Sequence, residues 1–163
     1  MLTESLIREH TNLNKGILIG YSGGPDSTAL VHLLSSLKAY QELDVKAIHI
    51  NHNLSKYSAM WENHCIETCS KLNINLITES IEIKVDGGGL ESASRKARYR
   101  VFEKILNAGD QLLLGHHSDD VAETLFMRLL RGTGPDGMEG PKLQRTLGKG
   151  VLIRPFLEIS KKQ

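Results

Sequence analysis

The sequence predicts an α/β fold, a five-stranded and mostly parallel sheet with helices on both faces, and three observations carry that prediction. Short apolar runs alternate with amphipathic stretches of helical period, the signature of βαβ units. The first run, Gly16–Tyr21 (GILIGY), is apolar on both faces, as a central strand covered from both sides should be. Three of the runs lead straight into polar clusters, and an open parallel sheet binds its ligands outside the carboxyl ends of its strands.

Element by element, Gly16–Tyr21 is too short for a helix and rich in Ile, and it reads as the first strand. Val45–Ile50 (VKAIHI), Asn75–Ile83, Gln111–Gly115 (QLLLG) and Val151–Arg154 (VLIR) are the second to fifth strands. Helices are predicted over Ser27–Tyr40, Ser58–Leu72, Leu90–Ala108 and Ser118–Leu130. In the last, Val121, Leu125 and Leu129 recur at i, i+4 and i+8, the stripe of a helix packed on a sheet. Asp86–Gly89 (DGGG) is a flexible connection, and Gly132–Gly140 a Gly/Pro-rich loop. No internal repeat interrupts the pattern. A helix should follow the fifth strand, yet the chain stops at EISKKQ, which reads as a chain cut short.

Composition narrows the class. The 163 residues are 40% apolar and 24% charged, ordinary for one soluble domain spanning 1–163. No apolar run approaches the roughly 18 residues of a membrane span, and the polar start (MLTESLIREHTNLNKG) offers no secretion signal. Cys65 and Cys69 stand four apart on one helix, a poor arrangement for a structural disulfide and too few thiols for a zinc site. They read as partly buried free thiols of a reducing cytoplasm. The net charge of +1 implies no polyanion, but its distribution is uneven. Residues 1–60 balance five Lys/Arg against five Asp/Glu, residues 61–127 carry seven against eleven, and residues 128–163 carry eight against three. Arg128, Arg131, Lys142, Arg145 and Lys149 of that last third are candidates for a rim that faces a polyanion.

Three strand ends hold the candidate chemistry. Ser22-Gly23-Gly24-Pro25-Asp26-Ser27-Thr28 follows the first strand: two glycines, then Asp-Ser-Thr opening a helix. Such a turn offers free backbone N–H groups and a helix N-terminus to a phosphate, with the hydroxyls as further donors. The loop lacks the Lys of a Walker A motif. A literal G-x-G-x-x-G at Gly132–Gly137 follows a helix and is broken by Pro135, so it fails as a dinucleotide fingerprint. After the second strand come Asn51-His52-Asn53-Leu54-Ser55. After the fourth come His116-His117-Ser118-Asp119-Asp120, with Ser118 a good N-cap. Asp119 and Asp120 in a first helical turn suit the helix dipole. With Glu123 on the same face they make a three-carboxylate group that calls for a cation or a base. The adjacent histidines would also fit an HD-type metal hydrolase, but that fold is helical and this pair follows a strand.

The turn S-G-G-x-D-S resembles the signature of the PP-loop, or N-type ATP pyrophosphatase, family, which shares the adenine nucleotide alpha hydrolase-like fold. The resemblance implies that Ser22, Gly23, Gly24, Pro25, Asp26 and Ser27 cradle the pyrophosphate of ATP, with Asp26 near a Mg²⁺. Four further segments follow in order: HINHNLS (His49–Ser55), LESASRKARYRVF (Leu90–Phe102), GHHSDDVAETLFMRLLRGTG (Gly115–Gly134) and LIRPFL (Leu152–Leu157). Together they resemble the tRNA(Ile)-lysidine synthetase family over essentially the whole chain. Asn53, Ser55, Ser94 and Val121 depart from its usual pattern of Gly, Arg, Ala and Gln or Asn. The resemblance implies a two-step ligation. ATP adenylates the C2 carbonyl oxygen of the wobble cytidine in tRNA(Ile) bearing a CAU anticodon, and free L-lysine then displaces AMP. It assigns Asp119, Asp120 and Glu123 to the lysine ammonium or the metal, and Arg98 to a phosphate of ATP or RNA. Tyr99 reads as core and Trp61 as packing. No membrane and no stable protein partner are expected, and the family's C-terminal tRNA-binding domains lie outside this chain. Two alternatives stand beside this reading. An RNA thiolase of the same fold would use cysteines, and the mid-helix Cys65 and Cys69 fit poorly; alkylating them should leave activity intact. A non-catalytic ATP-binding module would bind nucleotide and modify nothing.

Overall fold

The computed structural model describes residues 4–83, 89–130, 132 and 140–160. Five helices, α1 (Glu4–His10), α2 (Pro25–Tyr40), α3 (Ser58–Lys71), α4 (Gly89–Ile105) and α5 (Ser118–Leu130), alternate with strands β1 (Ile17–Gly20), β2 (Val45–Asn51), β3 (Asn75–Ser80) and β4 (Gln111–Leu113). A hairpin of β5 (Gln144–Leu147) and β6 (Gly150–Ile153) completes the sheet. The strand order is β3-β2-β1-β4-β6-β5, parallel throughout except for the antiparallel β5 edge. The predicted α/β architecture holds, with one strand more than expected. From β1 the chain winds outward through β2 to β3, then returns to the other side of β1 as β4. The order therefore reverses between β1 and β4, and the ends of those two strands frame a crevice.

The central strands separate two cores. Ile17, Ile19, Val45 and Ala47 face Leu30, Leu34 and Leu37 of α2, Cys65 and Cys69 of α3 and Ile7 of α1. On the other side Leu18, Ile48, Ile50 and Leu112 pack with Phe102 and Leu106 of α4. The period of two along β1 thus feeds both layers. Burying each such side chain contributes about 1.5–3 kcal/mol.

Three elements differ from expectation. The α1 helix was not predicted; its seven residues carry one fully buried side chain, Ile7, too little pattern to announce a helix. The β5 strand (QRTL) is largely exposed and shows no apolar alternation, because an edge strand with one solvated face needs none; its hairpin turns through Gly148 at φ 56°. The α5 helix forms over the predicted residues but buries none of them. Of the stripe read as sheet-packing, Val121 and Leu125 are half-buried and Leu129 is 61% exposed, so its far end is left uncovered. Periodicity reports an apolar face, not what lies against it. Of the predicted flexible segments, DGGG contributes only Gly89 and the 132–140 loop only Gly132 and Gly140 to the described residues.

Candidate active site

The turn after β1 is built by its own hydrogen bonds. Ser27 Oγ and Thr28 Oγ1 donate to the Gly24 carbonyl at 3.0 and 2.8 Å, and the Gly24 and Ser22 N–H groups donate to the Ser22 and Ser27 hydroxyls at 3.3 Å each. The Ser22 and Ser27 hydroxyls lie 3.0 Å apart. Ser27 and Thr28 thus spend their hydroxyl hydrogens on the loop, while Ser22 is exposed and stands on the cleft wall. The backbone is open to an anion too: α2 starts at Pro25, and its N-cap Gly24 supplies no side-chain cap to the first N–H groups.

Two glycines let the crevice close tightly. Gly23 has φ 83°, a left-handed conformation, and a Cβ there would stand 3.1 Å from Cys65 Sγ. Gly115 follows β4, where a Cβ would lie 2.9 Å from the Asp26 carbonyl carbon and oxygen. Side-chain-free backbone at Gly115 is what allows the β4 end to seat against the first turn of α2.

The carboxylates meet around one imidazole. His117, 7% exposed, places Nε2 3.4 Å from Asp26 Oδ2 and Nδ1 3.5 Å from Asp120 Oδ2 and 3.9 Å from Asp119 Oδ2. Asp120 Oδ2 also accepts the His117 N–H at 2.9 Å. Asp26, Asp119 and Asp120 are thus brought together although three strands and two helices separate the first from the others. Ser118 does not cap α5; its hydroxyl donates to the Ile159 carbonyl at 2.9 Å, and the Asp120 carboxylate reaches back instead. Glu123 is exposed and lies outside the cleft wall.

A cleft of about 470 Å³ opens above these groups. The β1 turn (Ser22, Gly24, Asp26, Ser27) forms one side, Arg98, His116 and Asp120 another, and Ile48, Ile50, Leu54 and Phe102 an apolar wall. Apolar walls with a few convergent polar groups suit a small organic ligand. Trp61, expected as packing, is 48% exposed and lines this cleft. Burial, then the positive charge of Arg154, pushes the His116 imidazole down to about 4, so it is neutral at pH 7 with a buried, unpartnered Nδ1. His52, lowered by burial and then by Arg98, likewise buries an unpartnered Nδ1. Both stand in the strand-end clusters HINHNLS and GHHSDD, and these two His–strand-end coincidences are the signal the sequence offers.

The cysteines are more enclosed than expected. Cys65 is 0% exposed and Cys69 1%, and burial raises their thiols to about 12 and about 11. Cys65 Sγ lies 3.4 Å from His49 Nδ1, directly under the β1 turn. A group added to Cys65 would press on Gly23, so the expectation that its alkylation is harmless does not suit this packing.

For a metal, the described residues hold no group of three or more His, Cys, Asp or Glu side chains that could ligate an ion by themselves. The carboxylates on the cleft wall, Asp26 and Asp120, are the groups that could serve an ion arriving with phosphate oxygens and waters, which takes only one or two carboxylates from the protein.

Comparison with known proteins agrees with this geometry. The tRNA(Ile)-lysidine synthase of Alkalilimnicola ehrlichii is 44% identical over 143 residues, 87% of this chain and 32% of its own length. That of Coxiella burnetii is 40% identical over 161 residues, 97% of this chain and 36% of its own. The chain therefore spans about a third of the length of these curated relatives. Among solved structures, a U34-tRNA thiolase from Methanococcus maripaludis with its [4Fe-4S] cluster superposes with a TM-score of 0.71 at 19% identity, over 98% of this chain and 58% of that one, a likeness of fold. With the PP-loop domain profile matching residues 3–163 and the SGGPDS turn standing at the switch point of the sheet, the chain belongs to the PP-loop family.

Proposed function

We propose that this chain is the catalytic domain of a tRNA(Ile)-lysidine synthase, ligating lysine to C2 of the wobble cytidine of a CAU-anticodon tRNA(Ile) with release of AMP and pyrophosphate. The observation that carries the reading is the meeting of Asp26 with Asp119 and Asp120 around His117 at the mouth of the cleft. This puts an anionic pocket for an ammonium next to a phosphate-binding turn. The 40–45% identity to tRNA(Ile)-lysidine synthases over most of the chain supports it.

In this reading the uncapped N–H groups of α2 and the Ser22–Ser27 turn hold the β and γ phosphates. Asp26 would take the Mg²⁺, whose charge offsets that of the departing pyrophosphate. Arg98 faces the α-phosphate, which gathers negative charge as the cytidine oxygen attacks. Neutral His116 offers a ring nitrogen for hydrogen bonding to the substrates at the cleft wall. Asp120, with Asp119 and Glu123 further out on α5, holds one ammonium group of lysine, so that its α- and ε-nitrogens are told apart by position. Two enclosed thiols with raised pKa give a thiolase no nucleophile or cluster ligand. The described residues include no helix long and apolar enough to cross a membrane, and free buried thiols suit a cytoplasmic protein.

The test is incubation with ATP, radiolabelled lysine and CAU-anticodon tRNA(Ile), using the chain alone and joined to the C-terminal portion of the Coxiella relative. Label in the RNA together with AMP is expected. ATP bound by both forms with no label transferred by either would overturn the ligase reading in favour of a binding module.

A further inference from the structure

At the edge of the cleft, four arginines gather round one tyrosine. Arg95 and Arg145 place Cζ 5.4 and 5.0 Å from the Tyr99 ring centroid. Arg154, 2% exposed, donates from Nη2 to the Tyr99 hydroxyl at 3.3 Å and from Nη1 to the Lys142 carbonyl at 2.6 Å. Arg98 completes the group from the next turn of α4 and is the only one of the four on the cleft wall. Among the described residues, none of the four forms an ion pair with a carboxylate; the ion pairs found there belong to Lys46 and His117.

Such an assembly is unfavourable by itself. Like charges repel, and a buried guanidinium without a carboxylate loses hydration that hydrogen bonds only partly replace. The field is felt locally: burial alone would raise the Tyr99 hydroxyl, yet Arg95, Arg154 and Arg145 together bring it below its usual value. A charged edge strand guards against sheet-to-sheet pairing, which accounts for Arg145 on β5 but not for three more arginines behind it.

We infer that the Tyr99-centred arginines form a second anion site, one that holds a backbone phosphate of the RNA strand whose base enters the cleft. The position argues for RNA over nucleotide. The triphosphate has its turn after β1, whereas Arg95, Arg145 and Arg154 lie outside the cleft wall, joined to it through Arg98 and His116. A ligand that reaches both must be a polyanion longer than ATP. Guanidiniums fixed by a ring and a carbonyl are pre-set for the forked contact a phosphate accepts, and such contacts fix register and not sequence. Arg95 on α4 and Arg145 on β5 are both exposed, so the ligand meets them first.

This rests on the proposed RNA substrate, and the test separates the two. A CAU anticodon stem-loop is titrated at several salt concentrations into the wild-type chain, Arg95→Gln/Arg145→Gln and Arg95→Lys/Arg145→Lys, with ATP affinity measured on each. The Gln pair should weaken RNA binding about tenfold and flatten the log K against log salt slope by about 1.4–1.8 units, with ATP affinity kept within about twofold. The Lys pair should keep most of the slope. An unchanged slope in the Gln pair, or a parallel loss of ATP affinity, overturns the anion-site inference and leaves the ligase reading standing. A wild-type chain that binds ATP but no RNA at any salt overturns the anion-site inference, whereas the ligase reading falls only if the chain joined to the relative's C-terminal portion also transfers no lysine.

Discussion

The helices α2 and α5 begin at adjacent strand ends, each with acidic residues in its first turn, and they are held in opposite ways. The first buries Ser27, Leu30, Val31, Leu34 and Leu37 against the sheet. The second buries nothing and is tied at its start, through Ser118 to the Ile159 carbonyl and through Asp120 and His117 to Asp26. The phosphate turn is therefore carried on a helix locked along its length, while the carboxylates proposed for lysine sit on one anchored at a single turn. The nucleotide side of the cleft is rigid, and the acceptor side is positioned by a few polar contacts.

The largest effect expected is chemical. Asp26→Ala should lower pyrophosphate release by roughly 100-fold or more, with the melting temperature nearly unchanged, because a half-exposed carboxylate is removed from the site and not from the core. Wild-type turnover in that variant would break the assignment of the turn. Next, Leu34→Ala in α2 should cost about 2–5 kcal/mol in denaturant unfolding, whereas Leu129→Ala in α5 should stay within about 0.5 kcal/mol. Equal costs would show the two helices to be held alike.

A pH comparison follows. The folded His116 titrates near 4 against 6.5 in an open chain, so the unfolded state takes up the proton first as pH falls. Its contribution is fully present above 6.5 and is lost progressively towards 4, up to about 3 kcal/mol. His116→Asn should therefore show a shallower decline in stability between pH 7 and pH 4.5 than the wild type, and parallel curves would refute the buried neutral imidazole. Gly115→Ala should cost about 1–3 kcal/mol and weaken ATP binding, since its Cβ meets the Asp26 backbone. The smallest structural effect belongs to Glu123→Gln: it is exposed and past the first turn of α5, so stability should not move. A fall in lysine transfer without a fall in ATP binding would place it on the lysine. A drop in melting temperature would instead assign it to holding α5.

The sheet, its parallel sense and the SGGPDS turn were legible because each is a local pattern: apolar runs, alternating periods, two glycines before a helix start. The α2, α3 and α5 spans were read to within two residues for the same reason. The α1 helix and β5 were not, since one buried isoleucine and an exposed edge leave no periodic trace. The pairing of the Ser22 and Ser27 hydroxyls was equally hidden, because composition does not say which partner a hydroxyl will find.

By itself, the order of apolar and polar segments determined that strand ends would carry the chemistry and that Asp26, Asp119 and Asp120 would stand at two of them. Only the tertiary structure decided that they share one imidazole, that Glu123 stands apart, that Cys65 underlies Gly23, and that α4 and the β5–β6 hairpin bring four arginines to Tyr99. The physical reason is distance along the chain. Hydrophobic period is encoded within ten or so residues, whereas contacts between positions 26 and 117, or 99 and 154, exist only once the fold sets β4 beside β1 and β6 beside β4.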